Sequence, residues 1–172
     1  VAGANGSGKT SLLRILSGLT PPDEGEVRWR GSNIMEQRAE FHGQLAYLGH
    51  HLGLKSELTV EENLRLAQGI RSVRPASRLE GVLEKVSLDH RTDMPVRTLS
   101  AGQRQRVALA RMLLSGALLW ILDEPFTALD AAGVALVQSL AEAHLGGGGV
   151  LVLTSHQAVS LSNRPLRKLE LA

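Results

Sequence analysis

The stretch Gly3-Ala4-Asn5-Gly6-Ser7-Gly8-Lys9-Thr10-Ser11 decides the reading of this 172-residue chain. It fits the pattern G-x-x-x-x-G-K-[ST], in which glycines let backbone N–H groups approach phosphate oxygens and the following helix adds positive potential. Lys9 can then reach the β- and γ-phosphates of a nucleotide, and the Thr10 hydroxyl can ligate Mg²⁺. Such a loop joins a buried strand to a helix. The helix is expected over residues 11–19, where Leu12, Ile15, Leu16 and Leu19 fall at i, i+3, i+4 and i+7 and Gly18 and Pro21-Pro22 provide the stop. Only Val1 and Ala2 precede the loop, too few for an ordinary strand, so an N-terminally truncated chain is expected.

Outward from the loop, residues 26–30 alternate like a half-buried strand, 45–48 form a short strand, and 118–122 and 150–153 read as buried strands. Thr59 followed by Glu61-Glu62 opens a helix to about Gln68, and Leu79, Val82, Leu83 and Val86 mark another. Ser100 with Gln103 makes a capping-box pattern, and Val107, Ala110 and Leu114 give that helix its apolar stripe. A further helix over 132–143, with Val134, Leu136, Val137 and Leu140 on its core side, is broken by the run from Gly146 to Gly149. Strands separated by helices predict an α/β fold with a parallel sheet, interrupted by a nearly all-helical middle. Arg71, Arg74 and Arg78 lie in a connection between helices and read as a solvated face, the alternative being contact with acidic or lipid groups of a membrane partner.

Leu119-Trp120-Ile121-Leu122-Asp123-Glu124 is an apolar strand ending in two carboxylates. A parallel sheet buries such a strand on both faces and presents its C-terminal end to a ligand crevice. There Asp123 would support Mg²⁺ and Glu124 would activate the attacking water as general base.

Composition removes other classes. With no Cys there is no disulfide framework, and 43% hydrophobic residues exclude disorder. Aromatic residues make up 3%, and 19 Lys+Arg against 17 Asp+Glu leave a net charge of +2, which disfavours base stacking and a polybasic nucleic-acid arm. The longest largely apolar run, 112–122, is half of the roughly 20 residues a bilayer span needs, so any membrane link runs through a partner. His42, His50 and His51 have no matching Cys or carboxylate cluster and read as loop histidines, and Trp29 and Trp120 as packing residues.

Five motifs in order resemble the ATP-binding-cassette (ABC) family: the glycine loop, Leu99-Ser100-Ala101-Gly102-Gln103, Asp123-Glu124, Ala128-Leu129-Asp130, and His156 after Thr154-Ser155. The resemblance implies a P-loop NTPase with a core over 1–57 and 115–172 and an inserted helical signature subdomain over 58–114. It implies a head-to-tail homodimer with two ATP molecules between subunits. Each would be held by Gly3, Ala4, Asn5, Gly6, Ser7, Gly8, Lys9, Thr10 and Ser11 of one subunit and capped by Ser100, Gly102 and Gln103 of the other. Mg²⁺ would sit on Thr10 and Asp123, and catalysis would use Glu124, His156 and Lys9. Many ABC proteins carry Gln where this chain has His50, and Ala101 stands where the commonest signature has Gly.

Leu48-Gly49-His50, Gly53-Leu54-Lys55, Glu57-Leu58-Thr59, Glu62-Asn63-Leu64, Gly25-Glu26-Val27-Arg28-Trp29 and Pro125-Phe126-Thr127 resemble one subfamily. Its members are ATP-binding subunits of the bacterial haem exporter of cytochrome c biogenesis. That resemblance implies membrane permease partners and a peripheral place on the cytoplasmic face of the inner membrane. The alternatives are a cassette serving another transported substrate and a soluble ABC ATPase. The latter is disfavoured because only 91 positions separate Lys9 from Ser100, with no heptad run between them.

Overall fold

The computed structural model describes residues 1–4, 6–70, 77–127, 129–156, 161 and 166–171. Asn5, Arg71, Arg74, Ala128 and the side chain of Arg78 lie outside the described residues. The chain forms two compact units. The first comprises Val1–Gly49, Ala117–Pro125 and Leu140–Ala172; the second comprises His50–Gly116 and Phe126–Ser139.

In the first unit, β4 (Leu45–Leu48), β5 (Leu119–Leu122) and β6 (Val150–Leu153) form a parallel sheet in the order β4-β5-β6. Leu45 lies opposite Leu119 and Leu119 opposite Val150, and both ladders stay in step to Leu48, Leu122 and Leu153. All four residues of central β5 are buried, as an apolar run with neighbours on both sides requires. β6 departs from the expectation of a buried strand: it forms an edge of this sheet, and Val150 is 41% exposed. β1 (Ala2–Gly3) pairs in parallel with β7 (Glu170–Leu171). The Val1 nitrogen donates to the Leu153 carbonyl at 2.6 Å, which brings the entry to the glycine loop beside the end of β6.

The helix after the loop, α1 (Lys9–Leu16), starts two residues earlier than the apolar spacing suggested and stops at Ser17. Gly18, with φ of 70°, then turns the chain, so Leu19 leaves the helix and is 55% exposed. Leu13, absent from the expected stripe, is the fully buried residue, packed with Ile34, Phe41, Leu45, Leu119 and Ile121. Residues 26–30 are the first arm of a hairpin rather than a lone strand. β2 (Arg28–Trp29) and β3 (Ser32–Asn33) pair antiparallel across Arg30-Gly31, whose φ values of 53° and 87° fit a tight two-residue turn. A short helix, α2 (Arg38–Gln44), follows and buries Phe41 against this core.

The second unit is helical: α3 (Val60–Ile70), α4 (Ser77–Lys85) and α5 (Ala101–Ser115), with short 3-10 turns at Asp89–Arg91 and Val96–Thr98. α3 opens with a reciprocal cap, in which the Thr59 hydroxyl accepts from the Glu62 N–H and the Glu62 carboxylate accepts from the Thr59 N–H. Val107, Ala110 and Leu114 on α5 are buried, as their spacing required. Buried Asn63 ties down the approach to α3. Its amide nitrogen donates to the Lys55, Leu58 and Thr59 carbonyls, and its oxygen accepts from the Lys55 N–H at 2.7 Å. Arg111 holds the neighbouring segment through the Leu52 and Gly53 carbonyls.

α6 (Ala131–Gly146) is capped by Asp130, whose carboxylate accepts from the Gly133 N–H at 2.7 Å. At its far end the glycine run does more than break the helix. His144 stacks on Trp120 with ring centroids 4.1 Å apart, and a side chain at Gly149 would collide with that imidazole. Burial lowers the His144 pKa, and its hydrogen bonds to the Val150 and Leu118 carbonyls oppose the shift more weakly.

Asn63→Leu leaves one N–H and three carbonyls without their amide partner, and should lower the unfolding free energy by about 1–3 kcal/mol in a denaturant titration. Because the folded state holds His144 less protonated than the unfolded chain, its contribution is fully present above the unfolded value of about 6.5 and is lost as pH falls through the lower folded value. The melting temperature should therefore drop on acidification below about pH 6.5, and His144→Asn should flatten that slope.

Candidate functional site

The glycine loop enters α1 through Gly8, which sits at the N-cap with φ of 89° and provides no capping side chain. A residue with a Cβ would be strained in that conformation. The first-turn N–H groups of α1 are thus left to an external acceptor. The Lys9 side chain is buried and folds back over the loop, donating to the Gly3 and Ala4 carbonyls at 2.9 Å each. Thr10 and Ser11 are exposed on the same turn. Ser7 Oγ is buried and has no hydrogen-bond partner among the described residues.

At the C-terminal end of β5 the chain changes from four buried apolar residues to Asp123 and Glu124. The Asp123 N–H donates to the Leu48 carbonyl at 2.7 Å, extending the sheet by one residue. Its carboxylate Oδ1 accepts from the hydroxyl of Thr154 at 2.8 Å, and that oxygen accepts from the Glu124 N–H at 2.9 Å. Glu124 has φ of 51°, in the left-handed region, a conformation that costs a non-glycine residue on the order of 1–3 kcal/mol. Its Oε1 lies 3.2 Å from Nε2 of His156. The two are close enough to pair but not aligned as a hydrogen bond, so this buried oxygen remains without a donor.

Asp123, Glu124, Thr154, His156 and the glycine loop therefore lie in one unit. The Val1 nitrogen, at the entry to the loop, is bonded to the carbonyl immediately before Thr154. Ser100, Gly102 and Gln103 lie in the second unit, at the start of α5. There the Ser100 hydroxyl accepts from the Gln103 N–H at 3.2 Å while the Gln103 side chain accepts from the Ser100 N–H at 2.9 Å. The capping box read from sequence is present and engages both side chains. His50 is exposed beside His51, with rings 6.0 Å apart, and His42 lies 3.2 Å from the Ser17 carbonyl.

Two residues of the first unit carry weight that sequence patterns did not assign. Thr154 stands two residues before His156 in the strand-end motif, yet its hydroxyl joins both acidic residues. Tyr47 sits within electrostatic range of Asp123. Burial raises its phenol pKa and the Asp123 charge raises it further, against a smaller opposing effect from Arg14. The available signal for Thr154 was a lone polar residue at the end of an apolar strand parallel to β5.

A parallel sheet, a phosphate-type loop running into an uncapped helix, and paired carboxylates at the C-terminal end of β5 define the P-loop NTPase class. The family model described as ABC transporter matches residues 1–127. The chain belongs to the ABC transporter family, as an ATP-binding subunit. It is 52% identical over 162 residues to the cytochrome c biogenesis ATP-binding export protein CcmA of Methylococcus capsulatus, covering 94% of this chain and 78% of that protein. It is also 52% identical over 173 residues to the protein of the same name from Haemophilus influenzae, covering 100% and 81%. Among solved structures, the ATP-binding subunit of an ABC transporter superposes with a TM-score of 0.80 at 28% identity, over 90% of this chain and 67% of that one. A dimeric ATP-binding cassette in a post-hydrolysis state with ADP and Pi gives 0.81 at 25% identity, over 91% and 73%.

Replacing Lys9 removes the ammonium now resting on two loop carbonyls. Lys9→Ala should weaken ATP binding by about 10–100-fold in a calorimetric titration while the folded circular-dichroism spectrum is retained.

Proposed function

We propose that this chain is the ATP-binding and ATP-hydrolysing subunit of a cytochrome c biogenesis exporter, with haem as its cargo. The relatives' names and their identity across nearly the whole chain support the placement in cytochrome c biogenesis. The subfamily resemblance of the segments around His50 and Trp29 supports haem. The observation that carries the chemistry is the end of β5, where Asp123 is tethered and a buried carboxylate oxygen of Glu124 faces His156 at 3.2 Å without accepting a hydrogen bond.

In this reading Lys9 exchanges the Gly3 and Ala4 carbonyls for phosphate oxygens when ATP enters, and the first-turn N–H groups of α1 take the remaining phosphate contacts. Thr10 and Asp123 supply hard oxygen donors. Among the described residues no group of three or more His, Cys, Asp or Glu side chains forms a metal cage, so the donor set fits a cation that shares its ligands with phosphates and water, as Mg²⁺ does. Held by Thr10 and Asp123, a bound Mg²⁺ would supply positive charge to offset that of the phosphates. Glu124 takes a proton from the attacking water as its oxygen bonds to the γ-phosphorus and the bond to the β–γ bridging oxygen breaks. His156, 3.2 Å from Oε1, holds Glu124 and the γ-phosphate in register.

We assign residues 1–57 and 115–172 to the catalytic core and 58–114 to the helical subdomain. Ser100, Gly102 and Gln103 would cap the ATP bound by the partner in a head-to-tail homodimer. The dimeric cassette among the structural neighbours supports a dimer. No helix among the described residues is long and apolar enough to cross a membrane, so attachment to the cytoplasmic face of the inner membrane would run through permease subunits.

Glu124→Gln keeps the shape of the site and removes the base. Phosphate release should fall by at least about 100-fold with ATP affinity preserved. Co-purification of the full chain with haem-handling membrane subunits tests the cargo; co-purification with a permease for another substrate would move the chain to a different transporter.

A further inference from the structure

We infer that Thr154 is a positioning residue of the hydrolytic site, a single buried hydroxyl that fixes both the carboxylate of Asp123 and the backbone of Glu124. The inference rests on the roles proposed above for those two residues.

Thr154 is fully buried, and its own N–H donates to the Leu122 carbonyl at 3.0 Å, so the β5–β6 ladder sets its height beside the acidic pair. The hydrogen-bond directions are forced by chemistry. A backbone N–H can only donate, so Glu124 gives its proton to the Thr154 oxygen; an ionised carboxylate can only accept, so the hydroxyl proton points to Asp123 Oδ1. Both capacities are thereby used. Occupying Oδ1 leaves Asp123 its other oxygen for a cation and restricts rotation of the carboxylate.

The second bond acts on the left-handed Glu124. Without an acceptor for its N–H, that residue has less to hold it at φ of 51°, and relaxation toward negative φ would swing the carboxylate away from His156. One hydroxyl therefore couples the cation ligand to the base, so that neither shifts without the other.

The full chain and its Thr154→Val, Thr154→Ser and Glu124→Gln variants test this well below their melting temperatures, with kcat, KM for ATP, affinity for a non-hydrolysable ATP analogue and the Mg²⁺ concentration for half-maximal turnover as readouts. Valine keeps the shape and removes both bonds; serine keeps both. Thr154→Val should lower kcat by about tenfold or more, leave analogue affinity within about threefold, and raise the Mg²⁺ requirement several-fold. Thr154→Ser should restore kcat to within about threefold. A residue serving only to fill the interior would lower the melting temperature without changing the Mg²⁺ dependence of the folded protein. If valine does not fold, Thr154→Cys, a weak donor of similar size, gives the same readouts. Parental kcat and Mg²⁺ dependence in the valine or cysteine variant, with Glu124→Gln inactive, would overturn the positioning role alone. Turnover persisting in Glu124→Gln would overturn the assignment of the base beneath it.

Discussion

Strand β5 is hydrogen-bonded on both edges and buried on both faces, and that constraint organises the first unit. Nothing polar fits within Leu119–Leu122, where an unpaired polar group would cost several kcal/mol. The first residues free to carry charge are those just past the strand end, Asp123 and Glu124. Parallel packing points that end the same way as the ends of β4 and β6, so Asp123 and Thr154 each lie one residue past the last ladder pairs, bonded back to the Leu48 and Leu122 carbonyls. A sheet of this kind gathers its chemistry at its C-terminal edge because charged side chains are excluded from its buried central strand.

The phosphate loop solves a complementary problem. It needs unpaired donors near a future anion, yet donors left bare lose hydrogen bonds. Gly8 keeps the start of α1 uncapped, while Lys9 rests on the loop's own carbonyls and so keeps its charge hydrogen-bonded without an anion. The acidic end differs. Asp123 is tied by a neutral hydroxyl, and Glu124 is held in a strained backbone with a buried oxygen lacking a donor. Strain and an unsatisfied carboxylate together set Glu124 apart from its neighbours, and they agree with the base role proposed for it.

Elements defined by long apolar runs or by reciprocal caps could be read from the residues alone. β4, β5 and the capped start of α5 came out with their core positions, because burial on both faces and a Ser-to-Gln cap leave few alternatives. Short elements held by tertiary contact were not legible. The hairpin turns on Arg30-Gly31, which lacks the Asn-Gly signal, and α2 contributes one buried side chain. The buried face of α1 differs from the one its apolar spacing suggests because the glycine loop starts the helix at Lys9, which carries Leu19 beyond its end and turns Leu13 into the core. The site motifs were legible as local strings. The Thr154 bridge was not, since it joins residues about thirty positions apart and depends on the register between β5 and β6.

The central claim is that the glycine loop and the acidic strand end serve one triphosphate. A crystal structure of the Glu124→Gln variant with ATP and Mg²⁺ tests it most directly. The γ-phosphate should lie within hydrogen-bond reach of Lys9 Nζ, with one Mg²⁺ touching both Thr10 and a phosphate oxygen on the Asp123 side. A nucleotide held by Lys9 but pointing away from Asp123 and residue 124, or bound elsewhere on the chain, would contradict the account.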